Sequence, residues 1–94
     1  MIDNTKTKFG KDFFDLFYTQ YSQLLKKYDF IITITEKPSL NQKGQILIDA
    51  EDKNVYGFIM NPNEEFLSSQ VYNLLKILNE YNNRKDLIDR ESAP

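Results

Sequence analysis

Three consecutive runs decide the fold: VYGFIM (55–60), NPNEE (61–65) and FLSSQVYNLLKILNEY (66–81). The first alternates β-branched and aromatic residues as a strand does, and the third repeats apolar residues at helical spacing. Between them, Asn61 suits an N-cap, Pro62 suits the first helical position because its missing donor costs nothing there, and Glu64 stands three after Asn61 in capping-box spacing. A strand feeding directly into an amphipathic helix is the prediction. Leu67, Val71, Leu74, Leu78 and Tyr81 form a strict three-four seam, widened by Phe66, Leu75 and Ile77 beyond what one sheet contact requires. Leu87 and Ile88 continue that seam in a charged tail, so residues 84–94 are read as a helical extension that docks elsewhere or as a loose end.

Working back from this joint, residues 45–49 and 30–35 (FIITIT) carry the same alternation and read as two further strands. The turn 51–54 joins the second strand to the third as a hairpin. KPSLNQKG (37–44) breaks the pattern through Pro38, Asn41 and Gly44, which makes it a loop. Before the strands, residues 11–28 are helical in pattern: Phe14, Phe17, Tyr21, Leu24 and Tyr28 lie on one stripe, flanked by Phe13, Tyr18 and Leu25 over an arc of roughly 140°, and only Leu16 strays. Asp12 with Asp15 supplies an N-terminal cap, and Lys26 with Lys27 complements the negative end of the helix dipole. Residues 1–8 are polar and unpatterned and read as a flexible arm.

The expected architecture is α+β, an α-β-β-β-α two-layer domain over residues 9–83: a three-stranded antiparallel meander packed by two amphipathic helices. Two helices cover one face of such a sheet. Ile31, Leu47 and either Val55 with Ile59 or Tyr56 with Phe58 must then point to the other. That half-apolar face is either a surface for a partner or a second copy, or ordinary scattered surface apolars.

Composition narrows the chemistry. Seven Phe and six Tyr make a core feasible in 94 residues, each ring burying ~150–250 Å². Cysteine and histidine are absent, which removes disulfides, thiolate chemistry, the usual general base and the commonest zinc ligand. With 12 basic and 14 acidic side chains the net charge is −2, too balanced to imply a polyanion or membrane surface as partner. Neither a charged-then-apolar leader nor an apolar run of about eighteen residues occurs, so the expected address is cytoplasmic, with no membrane contact.

Asp49, Glu51 and Asp52 are the only carboxylate cluster. The calcium loop would need Gly at its sixth position and Glu at its twelfth, where Asn54 and Met60 stand, so the cluster reads as a solvated hairpin turn. Glu64 and Glu65 at a helix start are dipole-stabilising charges rather than an acid/base pair. The three glycines are isolated, so no phosphate-cradling loop exists, and Gly57 inside a strand marks a close approach or a bulge. The tyrosines suggest stacking platforms for single strands, but Tyr18, Tyr21, Tyr28 and Tyr81 fall on inward stripes and read as core. Double-stranded-RNA-binding domains share the element order, yet they place basic residues where Glu64 and Glu65 stand, which rejects that function.

Residues 44–81 (GQILIDAEDKNVYGFIMNPNEEFLSSQVYNLLKILNEY) resemble the YbaB/EbfC family, in which a long helix precedes a three-stranded meander whose last strand ends in an acidic or amide residue followed by Pro. Asn61 and Pro62 are the matching positions. The resemblance implies a DNA-binding homodimer, although the aromatic first helix departs from the family's Met/Gln-rich one and no basic stripe is present. Taken on its own residues, the chain reads as a small non-enzymatic protein-interaction domain of adaptor, inhibitor, immunity or chaperone type. It needs no cofactor. Its partner is another protein or itself, through Leu74, Leu78, Tyr81, Leu87 and Ile88 on the second helix or Ile31 and Leu47 on the open face. The Asn/Lys/Ile/Tyr-rich usage adds an association with mobile elements of AT-rich genomes.

Overall fold

The computed structural model describes residues 1–38 and 44–92, with 85–92 as backbone alone. The order is β1 (Ile2–Asn4), α1 (Lys8–Ser22), β2 (Ile32–Pro38), β3 (Gly44–Ala50), β4 (Lys53–Ile59) and α2 (Glu64–Ser92). The strands form one sheet in the order β1-β2-β3-β4. This is the expected α+β class with one strand more than the meander. The extra strand comes from the segment expected to be a flexible arm: Ile2 pairs with Thr33, Asp3 with Ile34 and Asn4 with Thr35, in parallel. Polar composition concealed it because three residues are too few to show a period.

The meander is antiparallel throughout. Ile34 faces Ile48 across β2 and β3, and Ile48 faces Tyr56 across β3 and β4. Gly44 and Pro38, expected within a loop, are the paired ends of their strands, and the rest of that loop, 39–43, lies outside the described residues. A register shift between Ile48 and Asp49 bulges β4. Asn54 fills the bulge, its amide donating to the Ile48 carbonyl (3.3 Å), the Tyr56 carbonyl (3.2 Å) and Asp49 Oδ1 (3.2 Å).

Both helices pack on one face. Phe13 and Phe17 from α1 and Leu67, Val71, Leu74 and Leu78 from α2 close over Ile32, Ile34, Ile46, Ile48 and Ala50. Rings extend the core sideways: Phe58 meets Phe13 edge-on at 5.0 Å, and Tyr28 stacks on Phe30 at 5.2 Å. Tyr18 departs from the inward reading; it is exposed and stacks on Phe14.

The helix ends differ from expectation in informative ways. α1 starts earlier, capped by Thr7 rather than Asp12, with Gly10 N–H donating to Thr7 Oγ1 at 3.1 Å. It stops at Ser22, and Lys27 reaches back to donate to the Ser22 and Leu24 carbonyls at 2.8 Å each. At α2, Asn63 is the cap: its side chain accepts from Phe66 N–H at 3.1 Å and its carbonyl from Leu67 N–H at 3.0 Å. Asn61 instead accepts from Asn63 N–H at 3.2 Å, shaping the approach. Pro62 therefore precedes the helix, and Glu64 is its first residue rather than the third-turn-position partner of a capping box. No helix among the described residues is long and apolar enough to cross a membrane.

Candidate interaction surfaces

Residues paired across neighbouring strands share a face, so the ladder registers define what the uncovered side of the sheet presents. One rung runs Asn4, Thr35, Leu47, Gly57, and its neighbour runs Ile2, Thr33, Asp49. Tyr56 and Phe58 point inward to the core, which assigns Ile59 to the open face. Val55, the residue displaced by the bulge, is partly buried against the core. Leu47 lies over Gly57, where an added Cβ would stand 3.0 Å from Leu47 Cδ2 and 3.2 Å from the Ile46 carbonyl oxygen. Gly57 thus leaves room for a leucine to lie flat. Ile31 is 58% exposed, Ile59 47% and Ile2 45%. With Leu47 they place four aliphatic side chains on this face, spaced between Thr33, Thr35, Gln45 and Asp49, with Ile2 and Ile59 on its two edge strands.

The second helix offers much less than its sequence suggests. Leu74 and Leu78 are fully buried in the chain's own core, so neither presents surface to a partner. The reason is the layer beneath: Ile46, Ile48 and Ala50 of β3 and Phe13 and Phe17 of α1 join both leucines in one buried core. Tyr81 packs edge-on against Phe30 at 4.9 Å and donates to Glu51 Oε2 at 3.3 Å, tying α2 to the β3–β4 turn. Leu87 and Ile88 fall in the unbroken helix, but their side chains lie outside the described residues. The capping trio divides: Asn63, unrecognised in the sequence, does the capping work expected of Asn61, Pro62 and Glu64.

A polar centre went unrecognised altogether. Glu36, 5% exposed, continues the inward alternation of Ile32 and Ile34, which was the available signal. Its Oε1 accepts from Lys6 N–H at 2.7 Å and Thr7 N–H at 2.8 Å, and its Oε2 from Thr7 Oγ1 at 2.5 Å. Burial alone would raise its pKa; the Thr7 hydroxyl, the two amides and the Lys11 charge overcome that and hold the carboxyl below its ordinary range. Asp3 is likewise lowered, burial opposing while the Thr5 hydroxyl and amide and the Lys11 ammonium, at 3.7 Å, prevail. Asp49, Glu51 and Asp52 lie at the expected hairpin turn, with Glu51 and Asp52 exposed; Asp49 accepts from Asn54, and Glu51, at φ 59°, accepts from Tyr81.

None of the curated proteins matches the chain by sequence. The family model described as curli assembly protein CsgE matches residues 1–92. This overturns the resemblance to YbaB/EbfC, whose evidence was a generic strand-to-helix joint, and it removes the support for a DNA-binding homodimer. The cytoplasmic expectation falls too, because this family is one of periplasmic curli factors; composition and the lack of cysteine carry no such address. The association with mobile elements goes with it. A non-enzymatic role exercised through protein interaction agrees with an assembly family. The chain belongs to the CsgE family of curli assembly proteins.

Proposed function

We propose that the chain serves curli assembly as an interaction protein without catalytic chemistry, and that it meets its protein partner through the open face of the sheet. The observation that carries this reading is the exposure of Ile2, Ile31 and Ile59, with Leu47 between the edge strands, on a face no helix covers. A flat β surface that keeps three large aliphatic side chains near half exposure suits burial against another protein. Homodimer formation through the same face is the finer alternative, and one pair of variants addresses both.

Ile31→Asp and Ile59→Asp place a carboxylate at either end of that face without touching the core. Curli production in a host lacking this chain is expected to be restored by the parent and not by either variant, with circular dichroism unchanged. Sedimentation of the parent and variants reads self-association directly: a mass that falls in the variants assigns the face to a second copy. Full restoration by both variants sinks the reading.

A further inference from the structure

On the opposite side of the molecule, a groove runs between α1 and α2. Two adjoining cavities, about 660 and 160 Å³, share Leu16, Gln20 and Ser68 and so form one channel. Its apolar walls include side chains that a monomer would ordinarily hide: Phe9 is 43% exposed, Leu16 40% and Tyr72 70%. Leu75 continues the wall on the α2 side. From Phe9 to Gln20 the α1 wall spans twelve residues, or roughly 16 Å at the helical rise, enough for three turns of another helix.

The charge of the groove is one-sided. Asp12, Asp15 and Glu64 line the end near Phe9, and no Lys or Arg lines either cavity. Among the described residues none of these three carboxylates has an ion-pair partner. Asp12 and Asp15 also lie beyond the first turn of α1, where the helix dipole no longer offsets them. The result is an apolar channel with an acidic mouth.

We infer that this groove is a docking site for an amphipathic helix of a protein partner, its apolar stripe laid along Leu16, Tyr72 and Leu75 and its basic end set against Asp12, Asp15 and Glu64. The mode is helix-in-groove recognition, in which anchors at i, i+3 or i+4 and i+7 supply affinity and end charges fix orientation. The proposal is independent of the sheet-face reading, since the two surfaces lie on opposite sides of the fold.

The test titrates the full chain, observed by amide NMR, with a synthetic helix-forming peptide carrying Leu at i, i+3 and i+7 and two Lys beyond the last Leu. A control peptide carries Glu in place of both Lys. Shift changes are expected to cluster on residues 9–20 and 62–75, with the Lys peptide roughly five- to tenfold tighter than the control, the size of two exposed charge contacts. Asp12→Asn with Asp15→Asn should shrink that difference from both sides, weakening the Lys peptide and, by removing like-charge repulsion, strengthening the Glu control, whereas Leu16→Ser should weaken both peptides. Equal binding of the two peptides overturns the charge assignment, and shifts elsewhere or no binding at millimolar peptide overturn the site. A parent dimer that Leu16→Ser converts to monomer also overturns it, by assigning the groove to a second copy.

Discussion

At Glu36 a carboxylate occupies an inward position where the strand alternation calls for an aliphatic side chain, and every donor it uses comes from the turn that begins α1. Two glycines make the space. A Cβ on Gly10 would stand 2.8 Å from Glu36 Cδ, and one on Gly44 would stand 2.9 Å from Glu36 Oε2. Gly10 is helical, and Gly to Ala inside a helix normally stabilises by about 1 kcal/mol. Here Gly10→Ala is expected to destabilise by about 2 kcal/mol, since the carboxylate must leave its donors; urea unfolding at neutral pH reads the sign. Glu36→Gln should cost about 1.5–3 kcal/mol, the range for hydrogen bonds to a charged group. Because folding lowers the Glu36 and Asp3 pKa values, the unfolded chain takes up those protons first. Their stabilisation is complete above the ordinary carboxylate range, ~4–4.5, and is lost as pH falls through it toward the folded values. The slope of unfolding free energy against acid pH should therefore be shallower in Glu36→Gln than in the parent.

Among the elements, the α2 start shows how far sequence reasoning reaches. NPNEE announced a cap, and a cap is there, but three candidate residues competed and Asn63 took the role because the chain turns once more, through Asn61, before the helix begins. Asn63→Ala should cost about 1 kcal/mol and Asn61→Ala less, by thermal or urea unfolding. The apolar periodicity of α2 located its buried stripe correctly while leaving open what would bury it. Leu74 and Leu78 meet the chain's own sheet and first helix, so Leu74→Ala and Leu78→Ala are expected to lose about 2–5 kcal/mol each through unfolding of the monomer rather than through loss of a partner. Leu16, the residue that strayed from the α1 stripe, is the more informative surface position: its stray phase puts it in the groove. Exposure at a helix–helix seam depends on the distance between two elements, which no single-helix pattern encodes.

For the molecule as a whole, alternation and helical period sufficed for the class and for the two antiparallel pairings of the meander, since those signals act over five or more residues. β1 escaped because three polar-flanked residues have no period and owe their place to long-range contacts with β2. The Glu36 centre was missed because its donors, two backbone amides and the Thr7 hydroxyl, lie 29 and 30 positions away. Compartment was never written in the fold. The same separation bears on how the chain folds. β3 and β4 join through a tight turn between Ala50 and Lys53, so their loop closes early and at little entropic cost. β1 must instead close a loop carrying the whole of α1 before its first contact with β2 forms. Docking of β1 thus belongs on the native side of the folding barrier. In stopped-flow chevrons, Glu36→Gln should speed unfolding roughly ten- to hundredfold and leave the refolding limb nearly unmoved, whereas Ile48→Val, in the hairpin, should slow refolding. The N-terminal strand is then the first part of the sheet to detach whenever the protein opens.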